Sequence, residues 1–316
     1  MSAVLKERAA VHGLHGIEPQ GEPCFDYDEA FSRNLGWVTA DEQQRLKHTR
    51  VCIAGLGGVG GVYLLTLARM GVGAFSIADF DHFSLANFNR QAGANVDSVG
   101  RSKLEVMVEM ARQINPELDI RCFPDGVNER NLDAFLDGGD AYLDGLDFFA
   151  LGIRQRVFQA CRTRGIPATT VAPLGMGAAL LNFTPDGMSF DDYFGLDGQD
   201  EDEQALRFLV GLSPAMLQMK YLVDPSRVNL TERRGPSTIA AVQLCSAIAA
   251  TEVLKAVLGR GKRVAAPSGL HYDAYHHRLK KTWRPGGHRH PLQRLLRRIA
   301  GRRLAAKAAQ ERQAAG

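Results

Sequence analysis

The stretch VCIAGLGGVG, residues 51–60, decides the reading of this chain: an apolar strand runs straight into Gly55, Gly57 and Gly60, with Gly58 inside the turn. The first glycine permits a tight turn, the second lets backbone N–H groups approach a phosphate, and the third lets the following helix pack on the strand. The positive end of that helix favours an anion. These residues read as a nucleotide-binding strand–turn–helix.

Working outward, apolar strands and helical stretches alternate: helix 59–70, strand 74–78, helix 103–114, strand 119–123, helix 131–136, strand 141–146, helix 155–163 and strand 169–172. This predicts an α/β, Rossmann-like fold with a mainly parallel sheet, helices on both faces and ligands beyond the carboxyl ends of the strands. A helical pattern precedes the run at 27–46. After it, 185–235 breaks the rhythm with acidic residues Asp191, Asp192, Asp197, Asp200, Glu201, Asp202 and Glu203 and an apolar helical stretch from 206 to 222. A small-residue helix at 237–258, ended by Gly259, and a hairpin of 270–275 with 278–283 complete the body. The expected organisation is a flexible leader (1–26), a nucleotide domain (27–184), an insertion or lid (185–235), completion of the same domain (236–284) and a basic tail (285–316).

With 45% apolar residues in 316, the chain has enough for a large core. The best apolar window, 240–258, contains Gln243, Glu252 and Lys255, so no membrane span is expected. The start lacks the apolar core of a secretory signal, and Cys24, Cys52, Cys122, Cys161 and Cys245 are odd in number and scattered, which points to a reducing cytoplasm. Net charge is +3, yet Arg289, Arg294, Arg297, Arg298, Arg302, Arg303, Lys307 and Arg312 against Glu311 give the tail 8 − 1 = +7, leaving 3 − 7 = −4 for the rest. The basic balance belongs to the tail, and no nucleic-acid partner is expected.

Asp79, ending the second strand about twenty positions after the glycines, stands where a ribose-binding carboxylate belongs. Downstream come Asp81, the run Asn87-Phe88-Asn89-Arg90-Gln91, then Lys103, and Asp144-Gly145-Leu146-Asp147. An Arg and a Lys after the second strand with carboxylates after the fourth suit a triphosphate and Mg²⁺ better than a nicotinamide, which disfavours an NAD(P) oxidoreductase. No G-x-x-x-x-G-K-[ST] stretch occurs, so this is no P-loop ATPase.

In combination, GLGGVG (55–60), DFD (79–81), SLANFNRQ (84–91), VGRSK (99–103), RQINPE (112–117), the D-x-x-D at 144–147 and GIP (165–167) make the chain resemble the ThiF/MoeB/HesA superfamily, relatives of ubiquitin-activating enzymes. The resemblance covers about 27–183 and 235–283. It implies ATP- and Mg²⁺-dependent adenylation of a carboxylate, on a ubiquitin-like or other peptide C-terminus, a carrier protein or a small molecule, with loss of pyrophosphate. It further implies that Gly55, Gly57, Gly58 and Gly60 cradle phosphates, Asp79 and Asp81 serve the ribose side, Arg90 and Lys103 grip phosphates, Asn87 and Gln91 position them, and Asp147 holds Mg²⁺. Arg33 matches an arginine that reaches the partner's site in homodimeric members, so a homodimer is implied.

The chain also departs from that pattern. It has no C-x-x-C, so no zinc is expected. No cysteine lies in 185–235, and Cys161 and Cys245 fall within predicted helices, so no thioester step is expected. Phe148 follows Asp147 where many relatives carry Asn. These departures keep a second reading open, a nucleotide-binding or partner-recognition module without turnover. In the insertion, Arg207, Lys220, Arg227, Arg233 and Arg234 stand ready to clamp a carboxylate or to solvate a lid, while Tyr193, Phe194, Phe208 and Tyr221 read as its own small core. The tail PLQRLLRRIAGRRL (291–304) spaces Leu292, Leu295, Leu296 and Ile299 as one helical face; it suits an anionic membrane surface, an acidic partner, the chain's own 191–203 patch, or a solubilising role.

Overall fold

The computed structural model describes residues 25–228 and 235–302. Its strands are β1 (Arg50–Ala54), β2 (Ala74–Ala78), β3 (Asp119–Phe123), β4 (Ala141–Asp144), β5 (Ala168–Leu174), β6 (Gly177–Phe183), β7 (Ser268–Asp273) and β8 (Arg278–Trp283). Its helices are α1 (Tyr27–Ala30), α2 (Ala40–Lys47), α3 (Gly58–Arg69), α4 (Lys103–Ile114), α5 (Leu132–Leu136), α6 (Leu151–Thr163), α7 (Phe190–Phe194), α8 (Glu201–Leu212) and α9 (Ile239–Leu258). All eight strands form one sheet in the order β3-β2-β1-β4-β5-β6-β7-β8. The first five run parallel, and β6, β7 and β8 are antiparallel additions.

The period-2 alternation of β1 shows how the layers are filled. Val51 and Ile53 join a buried cluster with Leu64 and Leu67 of α3, Phe75, Ile77, and Ala249 and Val253 of α9. Cys52 and Ala54 face the opposite cluster, with Tyr142, Phe158 of α6, Phe183, and Phe190, Phe194 and Phe208 of α7 and α8. Helices therefore cover both faces. By length and composition α9 is apolar enough to cross a membrane, but half of that window is buried inside the molecule, and Ser246 bonds Thr66 Oγ1 of α3 at 2.7 Å. It is a core helix, and it ends at Gly259 in the left-handed region.

Four expectations are corrected. The pattern over 27–46 is two helices, α1 and α2, separated by a short 3-10 turn at Ser32–Asn34. Strand β6 went unread because all seven of its residues, polar Asn182 included, are buried, so GAALLNF shows no period-2 alternation. The helix expected over 206–222 stops at Leu212, because Pro214 disfavours helical backbone at Ser213. Finally, Tyr193, Phe194 and Phe208 are not a private core of the insertion. They share the cluster of β6 and α6, while Tyr221 stacks on Tyr275 at 4.5 Å beside β7.

The β1–α3 turn tolerates no side chain at its third glycine, since a Cβ on Gly60 would lie 1.7 Å from the Gly55 carbonyl oxygen. Gly60→Ala is therefore expected to lose about 2 kcal/mol or more of stability. Gly152→Ala, in α6 with open space around it, is expected to be neutral or to gain up to about 1 kcal/mol; thermal unfolding of both variants checks the contrast.

Candidate functional site

The loops that follow β1, β2 and β4 meet at the carboxyl edge of the sheet. Gly55 adopts φ +83°, and a Cβ there would lie 2.3 Å from the Gly145 carbonyl oxygen, so the β1 turn and the β4 loop touch backbone to backbone. Gly57 caps α3 without any side-chain hydrogen bond, leaving the amides of the first turn to other acceptors. A Cβ on Gly57 would meet the Gln91 amide nitrogen at 3.7 Å, and one on Gly58 would lie 3.9 Å from Arg90 Cγ and 3.4 Å from Val242 of α9.

Around this turn the β2 loop places its carboxylates and cations. Asp79 is buried; its Oδ2 accepts from Leu56 N at 2.6 Å and its Oδ1 from Asp81 N at 2.8 Å. Burial raises its carboxyl above the usual range, against the pull of those donors and of Lys103. The buried Lys103, at the start of α4, pairs through Nζ with Asp81 Oδ2 at 2.9 Å, and Asp81 itself is half exposed. Arg90 donates to Ala86 O and to Asn89 Oδ1. Gln91 is buried and its Oε1 has no hydrogen-bond partner. The amide nitrogen of buried Gln91 is the atom nearest a Cβ placed on Gly57, and a donor there beside the uncapped amides of α3 fits an oxygen-rich polar ligand seated at the turn.

The β4 loop is held from below. Asp144 and Arg154 are both almost wholly buried, with Nε 2.9 Å from Oδ2. The same guanidinium donates to the carbonyls of Leu146 (2.7 Å), Asp147 (3.0 Å) and Phe148 (3.2 Å), so one side chain fixes the whole turn. Its Cζ lies 4.6 Å from the centre of the Phe208 ring. Asp147 is exposed at the top of that turn, where its Oδ1 accepts from Phe149 N at 3.0 Å.

A family model described as "ThiF family" matches residues 31–295. The chain belongs to the ThiF family. Among curated relatives it is 35% identical over 133 residues to the tRNA threonylcarbamoyladenosine dehydratase of Escherichia coli (strain K12), covering 42% of this chain and 49% of that protein. It is 32% identical over 148 residues to the sulfur carrier protein ThiS adenylyltransferase of the same organism, covering 47% of this chain and 58% of that protein. The chain thus spans about half the length of the curated relatives it matches. Among solved structures, PaaA superposes with a TM-score of 0.62 at 18% identity over 89% of this chain and 80% of that one, a likeness of fold.

Within this ThiF-family chain the expected residues divide into three groups. The glycines, Asp79, Asp81, Arg90, Gln91 and Lys103 are joined through the contacts above. Asp147 stands across the turn, two residues beyond the Gly145–Gly55 contact. Asn87 is engaged locally, accepting from Ser84 N at 2.9 Å in the cap of its own 3-10 turn, and Arg33 is exposed in the turn after α1. Sequence reasoning missed Arg154, although its place on the apolar face of α6 with Leu151, Phe158 and Cys161 is the pattern of a buried, paired cation. It also missed Asn89, whose Nδ2 donates to Ser237 O at 2.9 Å and ties the start of α9 to the β2 loop, and Thr238, whose hydroxyl donates to Gly175 O at 2.9 Å and ties it to the β5–β6 turn.

Of the remaining candidates, Arg207 and Arg227 are engaged within their own segments and Lys220 is exposed. Arg207 holds Glu203 and the Gly195 carbonyl, and Arg227 bonds Asp224, while Arg233 and Arg234 lie outside the described residues. Burial pushes the Cys52 thiol up to about 12 and raises those of Cys161 and Cys245 strongly, so all three are poor nucleophiles.

Because removing one partner strands a buried charge, Arg154→Met and Asp144→Asn are each expected to lose about 3–5 kcal/mol. The double variant should lose clearly less than their sum. Denaturant unfolding of the four proteins measures the coupling, and simple additivity would contradict it.

Proposed function

We propose that this chain is an ATP-dependent adenylyltransferase that activates a carboxylate as its acyl-adenylate and releases pyrophosphate. The observation that carries the reading is the convergence of the uncapped α3 turn, the buried Lys103 and the β4 loop on one edge of the sheet. In this reading Gly57 and Gly58 let backbone amides take phosphate oxygens, Gln91 orients the phosphates, and Asp79 takes the ribose. Lys103 exchanges Asp81 for phosphate, and Arg90 turns its guanidinium from Ala86 and Asn89 to the same charge. The carboxylate attacks the α-phosphorus in line, charge builds on the departing pyrophosphate, and the two cations stabilise it more than they stabilise the ground state.

Asp147 would hold Mg²⁺, which neutralises phosphate charge when bound. Among the described residues no group of three or more His, Cys, Asp or Glu side chains forms a metal cage, in keeping with a cation that takes its other ligands from phosphates and water. Arg33 serves the site of a second subunit in a homodimer. The relative named sulfur carrier protein ThiS adenylyltransferase supports a carrier protein as one source of the carboxylate, beside a peptide or a small molecule. Among the described cysteines Cys52, Cys161 and Cys245 are buried, and the exposed Cys122 lies in the edge strand β3, away from the α3 turn and the β4 loop, which supports passage of the acyl group directly to an external nucleophile.

The test is ATP–pyrophosphate exchange with peptides, carrier proteins and small carboxylates supplied in turn. Exchange that needs an added carboxylate and Mg²⁺, and that falls at least about a hundredfold in Asp147→Ala, is the expected result. Arg33→Ala should be nearly as slow, and mixing it with Asp147→Ala should restore activity through one intact composite site per dimer. Binding of ATP without exchange across all carboxylates would favour a recognition module, and a preference for NAD over ATP would end the adenylation reading.

A further inference from the structure

Residues 291–302 are helical and lie against α8. Their inner side is fixed: Gln293 is buried, Arg297 Nη1 pairs with Glu203 Oε1 at 2.9 Å, and a Cβ on Gly301 would lie 3.3 Å from Leu206 Cδ2. The approach to the helix is held too, with His288 Nδ1 3.0 Å from the Asp192 carbonyl oxygen. Thus residues 291–302 fold back on the chain's acidic segment, with a mixed side inward, and the expected apolar face is split: Leu296, half-buried, lies on the side of Gln293 and Ala300, apart from the other three. Leu292, Leu295 and Ile299, spaced i, i+3 and i+7, face out and are 50%, 50% and 41% exposed. Arg294, Arg298 and Arg302 follow at i, i+4 and i+8 along one flank of that stripe, all exposed. A stripe needed only for folding would turn inward.

We propose that this outward face is a docking site for an acidic amphipathic helix of a protein partner, which seats apolar side chains on Leu292, Leu295 and Ile299 and carboxylates on the three arginines. Charge complementarity selects this occupant. An anionic lipid surface carries the same sign, but among the described residues the arginines stand along one flank of the stripe, which matches a single helix about 10 Å wide with its carboxylates on one side better than a flat surface. A second copy of this helix would set arginines against arginines.

Neither residues 1–24 nor residues 303–316 carry a strong acidic excess. Residues 1–24 hold Glu7, Glu18 and Glu22 against Lys6 and Arg8, and residues 303–316 hold Arg303, Lys307 and Arg312 against Glu311. On another face of α8, Phe208 contacts Arg154, so one helix joins this surface to the β4 loop. The proposal stands apart from adenylation, because its test reads binding alone.

A fluorescent probe helix, with leucines at i, i+3 and i+7 and glutamates along one flank, is titrated with the full chain by anisotropy. A lysine-for-glutamate version and phosphatidylcholine–phosphatidylserine vesicles serve as comparisons. The acidic probe is expected to bind, more weakly as salt rises. Leu295→Ser with Ile299→Ser, and Arg294→Glu with Arg298→Glu, should each weaken it at least about tenfold without moving thermal unfolding. Equal binding of the basic probe, undiminished binding by both double variants, or capture of the chain by vesicles while the acidic probe fails would each overturn the proposal.

Discussion

The contact on which the rest depends is the backbone approach of Gly55 to Gly145, held beneath by the buried Asp144–Arg154 pair. A side chain on either glycine would drive the β1 turn and the β4 loop apart. The ion pair adds little net stability by itself, since burying two charges costs much of what their attraction returns. Its value is positional. One guanidinium, with an aspartate on one side and three carbonyls on the other, leaves the 145–148 turn a single arrangement and so sets where Asp147 stands relative to the glycine turn.

That arrangement extends into the insertion. Phe148, at a position where a polar residue was the expectation from the family resemblance, lies 5.2 Å from the Phe208 ring, and Phe208 also covers Arg154. The substitution therefore has a packing reason: it joins the β4 loop to the aromatic cluster of Phe158, Phe183, Phe190 and Phe194. The segment that interrupts the alternating pattern is thus bound to the loop at the centre of the candidate site, and α8 carries the terminal helix on another face.

The parallel half of the sheet was legible because its signals are local. Strands β2 and β3 and helix α4 fall on the residues that the alternation and the glycine spacing indicated. What escaped depends on long-range partners. Strand β6 reads as a stretch without period-2 alternation whose pairing with β5 and β7 is set elsewhere in the chain. Arg154 reads as one of many arginines until Asp144, ten residues earlier, turns out to be buried opposite it. The terminal helix was legible as amphipathic, yet periodicity cannot say which side faces the body; the Arg297–Glu203 pair and the close approach of Gly301 to Leu206 decide that.

The central claim is that the glycine turn, the β2 loop and the β4 loop form one cradle for ATP. A crystal structure with a non-hydrolysable ATP analogue and Mg²⁺ tests it most directly. The account predicts phosphates on the amides of Gly57 and Gly58, Lys103 Nζ moved from Asp81 to a phosphate oxygen, and the cation at Asp147. A nucleotide bound away from the α3 turn, or one at the turn with the Lys103–Asp81 pair intact and Asp147 free of the cation, would contradict it.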